Sequence, residues 1–157
     1  MSLDDDGAAG DDDSAGDDPS VLVEPVVCPP ACTSCAGEVC TIDCNATSAC
    51  QGAALLCPPF MECDVQCGGI SSCQGASIRC PDQGPCNVSC SNTSSCQSMF
   101  LTGSGPDVLT LDCSGTSACQ AGQATCGDGP CNLGCGGPSA SLGQVNCAGS
   151  CACNNGC

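Results

Sequence analysis

The stretch from Cys40 to Cys90 decides the fold: CTIDCNATSACQGAALLCPPFMECDVQCGGISSCQGASIRCPDQGPCNVSC. Within it the cysteines are separated by three, five, six and five residues, and the cycle then begins again. Each cycle is 23 residues long. A fixed period of this length is typical of a solenoid, in which each repeat packs only against its neighbours. Two of the cysteine columns are Cys44, Cys67, Cys90 and Cys113, and Cys50, Cys73, Cys96 and Cys119.

The single interruption of the repeat indicates which cysteines are bonded to each other. Gly103 and Leu109 stand where the rhythm predicts two cysteines. Because these two are lost together, while Cys96 and Cys113 remain, the lost residues would have been partners. We therefore predict disulfides inside each coil, most of them in C-x5-C units. The predicted bonds are Cys44–Cys50, Cys67–Cys73, Cys90–Cys96, Cys113–Cys119, Cys57–Cys63, Cys80–Cys86, Cys126–Cys131 and Cys35–Cys40.

The composition explains why the chain needs so many covalent bonds. It has 157 residues with 23 cysteines, two phenylalanines and no histidine, tryptophan or tyrosine. A chain with so few large side chains cannot bury an ordinary core. This cysteine content predicts a disulfide scaffold in an oxidising compartment, so we expect a secreted or cell-surface protein. The start MSLDDD has neither the basic nor the apolar part of a leader, so we expect the natural leader to be absent from this sequence.

The chain divides into two parts of different composition. Residues 1–27 are rich in aspartate, glycine and alanine, and we predict a disordered acidic linker there. In composition this segment resembles the acidic spacer of bacterial surface lipoproteins, which implies tethering to a cell surface. Residues 28–157 are predicted to form the cysteine-rich solenoid, with capping disulfides at both ends.

Two coil sizes fit the repeat. Alternating segments such as 63–67 and 86–90 predict short strands with a valine on the same face as the cysteines. A coil could be about 12 residues long, or it could contain 23 residues in two facing strands. We favour 23, because a half-repeat of 10 residues is short for a closed turn. The predicted fold is all-β, a solenoid of about five to six coils.

The cysteines near the two ends follow no column. Since 23 is odd, one cysteine is free or bonded to another molecule, which makes an intermolecular disulfide a candidate interaction. Cys135 has Ser141 where its partner is expected, so its partner is sought in the final segment. The sequence leaves open the pairing of Cys28, Cys32, Cys135, Cys147, Cys151, Cys153 and Cys157.

The half-repeat that begins at Cys44 resembles the coil of the hyperactive beetle antifreeze proteins, which are disulfide-stapled β-solenoids. The resemblance is carried by Cys44, Thr47, Cys50 and Ala53, and it implies the same in-coil bonds. Ice binding in that family depends on threonines that flank the first cysteine. In this chain the flanking residues are Asp43 and Asn45, Gln66 and Gly68, Ser89 and Ser91, and Asp112 and Ser114, so the resemblance implies the architecture alone.

Three polar columns are candidates for binding or for structural support. The first is a possible surface face, and the other two are polar ladders that repeat in every copy. For the ladders we favour hydrogen bonding from coil to coil over ligand binding. The face is Thr41, Asp64, Asn87, Thr110 and Asn132, and the ladders are Ser48, Ser71, Ser94 and Ser117, and Gln51, Gln74, Gln97 and Gln120.

These residues favour a non-catalytic structural or adhesive module. Without histidine or lysine there is no ordinary general base, so we expect no enzyme and no cofactor. A single arginine cannot provide the basic surface that nucleic acid needs, and no apolar segment is long enough to insert into a membrane. The expected partner is an extracellular protein, a glycan or a surface. Two alternatives stay open: an ice-binding or crystal-surface-binding protein, and a protein that binds metal through thiolates.

Overall fold

A computed structural model describes residues 27–157, and this part of the chain is all-β, with twelve strands and no helix. The predicted linker, residues 1–27, lies outside the described residues except for Val27. The strands are β1 (Ser34–Ala36), β2 (Val39–Asp43), β3 (Ala54–Leu56), β4 (Glu62–Cys67), β5 (Ser77–Arg79), β6 (Cys86–Cys90), β7 (Phe100–Thr102), β8 (Leu109–Cys113), β9 (Gly122–Thr125), β10 (Cys131–Gly134), β11 (Leu142–Asn146) and β12 (Cys153–Gly156).

The strands form two sheets, and a full coil contributes one strand to each sheet. The seven-stranded sheet has the order β1-β2-β4-β6-β8-β10-β12, and the five-stranded sheet has the order β11-β9-β7-β5-β3. Apart from the antiparallel β1–β2 pair, all pairs are parallel. Cys40 pairs with Cys63, and Cys63 pairs with Cys86, so one coil contains 23 residues. The predicted disulfide-stapled β-solenoid is confirmed, with about five turns. The alternative of a coil of about 12 residues is excluded by this strand pairing.

A thin core lies between the two sheets. One sheet contributes a column of branched side chains that includes Val65 and Val88, which are almost fully buried. The other contributes the facing column that includes Ile78 and Leu101. Cysteines border this core on both sides, so that sulfur fills volume that aromatic rings would fill in an ordinary domain.

Eleven disulfides hold the coils, and the in-coil pattern is confirmed. Seven of the eight predicted bonds are present, and each joins two cysteines of the same coil at a corner between the sheets. A loop of about seven residues contributes roughly 2 kcal/mol in the chain-entropy view. The bonds are Cys44–Cys50, Cys57–Cys63, Cys67–Cys73, Cys80–Cys86, Cys90–Cys96, Cys113–Cys119 and Cys126–Cys131.

The eighth prediction, Cys35–Cys40, is wrong. Cys28 bonds Cys35, and Cys32 bonds Cys40. Cys35 and Cys40 are opposite each other in the antiparallel pair of β1 and β2, which turn back on themselves around Gly37. Because β1 and β2 form a hairpin, this part of the chain does not follow the 23-residue repeat from which the prediction was made. Cys28 and Cys32, which precede the hairpin, bond its two cysteines. The two bonds cap the first end of the solenoid.

The second end is capped by two further bonds. Cys147–Cys153 repeats the in-coil spacing, whereas Cys135–Cys157 joins two successive coils at the ends of the paired strands β10 and β12. All 23 cysteines lie within residues 27–157, and Cys151 is the one that stays free there; its side chain is exposed.

Candidate functional site

The outward side of the seven-stranded sheet carries the polar column that the sequence predicted as a possible surface face. The predicted column lies in register across five neighbouring strands, and β12 extends it by a sixth residue. Because the strands alternate, the two strand neighbours of each column residue in β2, β4, β6, β8 and β10 face the core, while the column's own side chains point to solvent. We call this surface the outer face; its main column is Thr41, Asp64, Asn87, Thr110, Asn132 and Asn154.

A second column runs beside the first, and it carries side chains over four strands and only glycine over the last two. It begins with long or charged residues at one end of the sheet. The last two positions carry glycine, because β10 and β12 end in Gly134 and Gly156. The column is Asp43, Gln66, Ser89, Asp112, Gly134 and Gly156.

Over the first coils, several polar side chains of the outer face have hydrogen-bond partners. The amide of Gln66 donates to Asp64 at 2.7 Å and accepts a bond from Asn45 at 3.3 Å. Asn87 donates to the carboxylate of Glu62 at 3.0 Å. Asp64, Gln66 and Asn87 therefore already have hydrogen-bond partners.

Over the last coils, the outer face is different, because a trough opens there. The trough is open to solvent and has a volume of about 620 Å³, and the two glycines of the second column, Gly134 and Gly156, line it. Asn154 donates to the Oδ1 atom of Asn132 at 2.8 Å, while Thr110 and Asp112 make no side-chain hydrogen bond within the described part. Its lining includes Thr110, Asp112, Asn132, Asn154, Gly134 and Gly156, together with neighbouring strand residues such as Leu133 and Asn155.

Sequence reasoning found Thr110 and Asn132 but missed the trough. Asn154 follows Asn132 by 22 residues, and Asn132 follows Thr110 by 22, because small deletions shorten the later copies. A strict 23-residue column therefore loses the register at this end. The pairing of Cys131 with Cys153 restores it, but that pairing comes from the sheet.

The four glutamines form a ladder along one corner of the solenoid. Gln51 donates to Gln74, Gln74 to Gln97, and Gln97 to Gln120, at 2.9, 2.9 and 3.1 Å. Each link joins equivalent amides of successive coils. The side-chain amides are thus engaged with one another rather than directed at a ligand.

The serine column has a backbone role. Ser48, Ser71, Ser94 and Ser117 all have φ between 53° and 57°, in the left-handed region that most residues avoid. Their N–H groups donate to the next coil, as Ser48 does to Ile70 at 2.8 Å. Among the described residues, none of these four hydroxyls makes a hydrogen bond. The column therefore marks a sharp corner rather than a side-chain ladder.

The charged side chains in the two columns of the outer face are all negative. Its carboxylates come from residues such as Asp64 and Asp112, and neither column contains a basic residue. Arg79, the one basic residue of the chain, lies on the five-stranded sheet and pairs with Asp82 at 3.7 Å in an exposed position. The outer face therefore offers no cation to an anionic ligand.

Two other surfaces are smaller or less polar. A depression of about 330 Å³ lies beside Leu56, Pro58 and Arg79 at the first end of the five-stranded sheet. Both phenylalanines are exposed, with Phe60 at 72 % and Phe100 at 50 % of their surface. They lie on different coils, since Phe60 follows β3 and Phe100 belongs to β7.

Several groups of three cysteine sulfurs lie as close together as the ligands of a metal site, but these sulfurs are in disulfides. One example is the group of Cys67, Cys90 and Cys96, whose sulfurs lie within 4.8 Å of one another. Each member of every such group in the described part is in a disulfide, so these are stacked bonds rather than thiolates.

The column that carries the resemblance to antifreeze proteins lies at a corner. Thr47, Thr93 and Thr116 are exposed there, and Ile70 interrupts them. Backbone bonds from the neighbouring serines hold this column in register from coil to coil.

No known protein family, curated protein or solved structure matches this chain. In residues 27–157 there is no helix that is long and apolar enough to cross a membrane. A β-solenoid with eleven disulfides fits a non-enzymatic extracellular module, since disulfides persist in oxidising environments.

Proposed function

We propose that this protein is a secreted or cell-surface adhesive module that binds an extracellular polymer or surface through its outer face and has no catalytic role. The observation that supports this most directly is the continuity of the outer face: one polar side chain per coil, in register over six strands. Such a surface repeats at the strand spacing of about 4.8 Å and suits a partner that is itself extended.

The scaffold beneath the outer face suits this work. Seven in-coil disulfides lie at the corners of the stacked coils, and two bonds cap each end. A covalently closed frame loses little conformational freedom when it binds, which favours affinity from weak, repeated contacts. The acidic segment, residues 1–27, then acts as the tether to the surface.

The test is retention of the oxidised protein on sensor surfaces coated with chitin, cellulose, mucin or fibronectin. We expect retention on at least one coating, and we expect Thr110→Lys to weaken it. Thr102→Lys is the matched control, because Thr102 is an exposed threonine on the five-stranded sheet. Retention on none of the coatings would reject the adhesive role, and equal loss in both variants would reject the outer face as its site.

The two alternative functions, ice binding and metal binding through thiolates, require different side chains. Ice binding needs a regular hydroxyl array, whereas the corner column of Thr47, Thr93 and Thr116 is interrupted by Ile70. Metal binding through thiolates needs free sulfur, and Cys151 is the only free cysteine in the described part, which contains all 23. We therefore rank both below the adhesive role.

A further inference from the structure

The trough at the second end of the outer face differs from the rest of that surface in shape. In earlier coils the second column carries Gln66, Ser89 and Asp112, whereas Gly134 and Gly156 occupy the equivalent positions here. An open trough of about 620 Å³ lies over the sheet at these positions. Volumes of roughly 300–1,000 Å³ are typical of sites for small ligands.

The trough also differs in its unused hydrogen-bonding groups. The Thr110 hydroxyl, the Asp112 carboxylate and the Nδ2 group of Asn132 make no side-chain hydrogen bond within the described residues. Together they offer donors and acceptors around one depression. In the first coils Gln66 and Asp64 are bonded to each other, and Asn87 is bonded to Glu62.

From this arrangement we propose that the trough binds a neutral carbohydrate unit of one or two sugar rings. A sugar has hydroxyls that both donate and accept, which matches the hydroxyl, amide and carboxylate groups of the rim. Its flatter C–H face can lie on the glycine backbone of β10 and β12, where no side chain intervenes. The inference rests on the proposed function, since it names the ligand class for that same surface.

Other ligand classes fit less well. An anionic ligand would meet Asp112 and no cation, because the only basic residue of the chain is Arg79 on the other sheet. Calcium takes six to eight oxygen ligands, and the trough offers a single carboxylate. An apolar ligand would find no aromatic side chain, since Phe60 and Phe100 lie elsewhere.

The structure provides a variant that fills the trough without straining the fold. A Cβ atom at Gly134 would lie 3.7 Å from the carbonyl oxygen of Leu111, an ordinary contact, and Gly134 has no left-handed backbone. Gly134→Gln copies the side chain that Gln66 carries at the equivalent position. Gly136→Gln is the matched control, because Gly136 lies outside the trough and a Cβ there meets no atom within 4 Å.

The experiment is an NMR titration of the oxidised protein with maltose, cellobiose and N,N′-diacetylchitobiose, followed through its amide signals. We expect at least one disaccharide to shift the signals of Gly134, Gly156 and the Asn132 side chain, with a dissociation constant on the order of 1 mM for so open a site. Gly134→Gln should weaken binding at least about tenfold, as expected when contacts worth 1.4 kcal/mol are lost, while Gly136→Gln should not.

The outcomes separate this inference from the proposed function. Absence of shifts with all three sugars, or equal binding in Gly134→Gln, would overturn the carbohydrate site. Shifts at the trough caused by calcium alone, by a sulfated disaccharide more strongly than by neutral ones, or by a strand-forming peptide would also overturn it. If retention on a coated surface then survives Gly134→Gln, the adhesive function stands while the carbohydrate inference fails.

Discussion

Leu109 fills the space that a disulfide would occupy opposite Gly103. A Cβ atom placed on Gly103 would lie 3.1 Å from the Cδ2 atom of Leu109, whose side chain is 3 % exposed. In the neighbouring coils the equivalent positions hold Cys80–Cys86 and Cys126–Cys131. The third copy has thus exchanged a covalent bond for a buried aliphatic side chain.

The first prediction concerns Gly103, where the surrounding atoms leave no room for a side chain. A Cβ atom there would lie 2.6 Å from the backbone nitrogen of Gly127, in the next coil. We expect Gly103→Ala to lower the free energy of unfolding by about 1–3 kcal/mol, as overpacking does. Urea unfolding measures this, and Gly136→Ala, where a Cβ meets nothing, should change stability by less than about 0.5 kcal/mol. A neutral Gly103→Ala variant would contradict the crowding.

The second prediction concerns the sulfur chemistry. A thiol titration under denaturant, without reductant, should find one thiol per chain, and alkylation should label Cys151. Mapping of disulfide-linked peptides should recover Cys28–Cys35, Cys32–Cys40 and Cys135–Cys157. More than a few free thiols would instead favour metal binding through thiolates.

The third prediction tests the glutamine ladder. Gln74→Ala removes two amide hydrogen bonds and Gln51→Ala removes one. We expect Gln74→Ala to destabilise the protein by about 1 kcal/mol and Gln51→Ala by about half as much, since the bonds are solvent-accessible. Thermal unfolding provides the measurement. Gln123→Ala is the control, because Gln123 is exposed and makes no side-chain hydrogen bond within residues 27–157. Equal effects at all three positions would mean that the ladder contributes nothing.

The fourth prediction tests the serine corners. Ser94 has φ 56° and its hydroxyl has no hydrogen-bonding partner in the described part, so its backbone matters more than its side chain. Ser94→Gly should change stability by less than about 1 kcal/mol, because glycine adopts this region freely but costs entropy. Ser94→Val should destabilise by about 1–3 kcal/mol, since a β-branched residue resists a left-handed backbone. Ser91→Val, at an exposed position with ordinary φ, is the reference; a tolerated Ser94→Val would reject this role.

The fifth prediction separates adhesion from ice binding. Ile70 interrupts the corner threonines, and the outer face carries carboxylates such as Asp64 and Asp112. Neither surface presents the regular hydroxyl array of the antifreeze coil. We expect the protein at micromolar concentration to show no thermal hysteresis beyond that of an inert protein of equal size. Clear hysteresis would place ice binding above the adhesive role.

The repeat predicted most of the architecture because one geometric rule governs all middle coils. Cys67 and Cys73, or Cys90 and Cys96, recur at equal spacing, and a bond possible in one coil is possible in the next. The ends obey no such rule. Cys35 and Cys40 are near each other in sequence and in space, yet their partners come from the preceding chain.

The candidate site divides in the same way. The column from Thr41 to Asn132 could be read from the spacing, since alternation fixes which side of a strand faces solvent. The trough could not, because it arises where Gly134 and Gly156 stack beside Asn132 and Asn154. That stacking depends on register across shortened copies, which the sheet hydrogen bonds set.

The sequence alone determined the 23-residue repeat, the in-coil bonds and the polar outward columns, because each follows from residues that are close along the chain, whereas strand pairing decided that one coil contains the whole repeat. Only the tertiary structure decided how the ends close and where the trough lies. Both depend on which residues come into contact when the coils stack. In this chain the hairpin at Gly37 and the deletions in the later copies change those contacts, although the local sequence pattern continues.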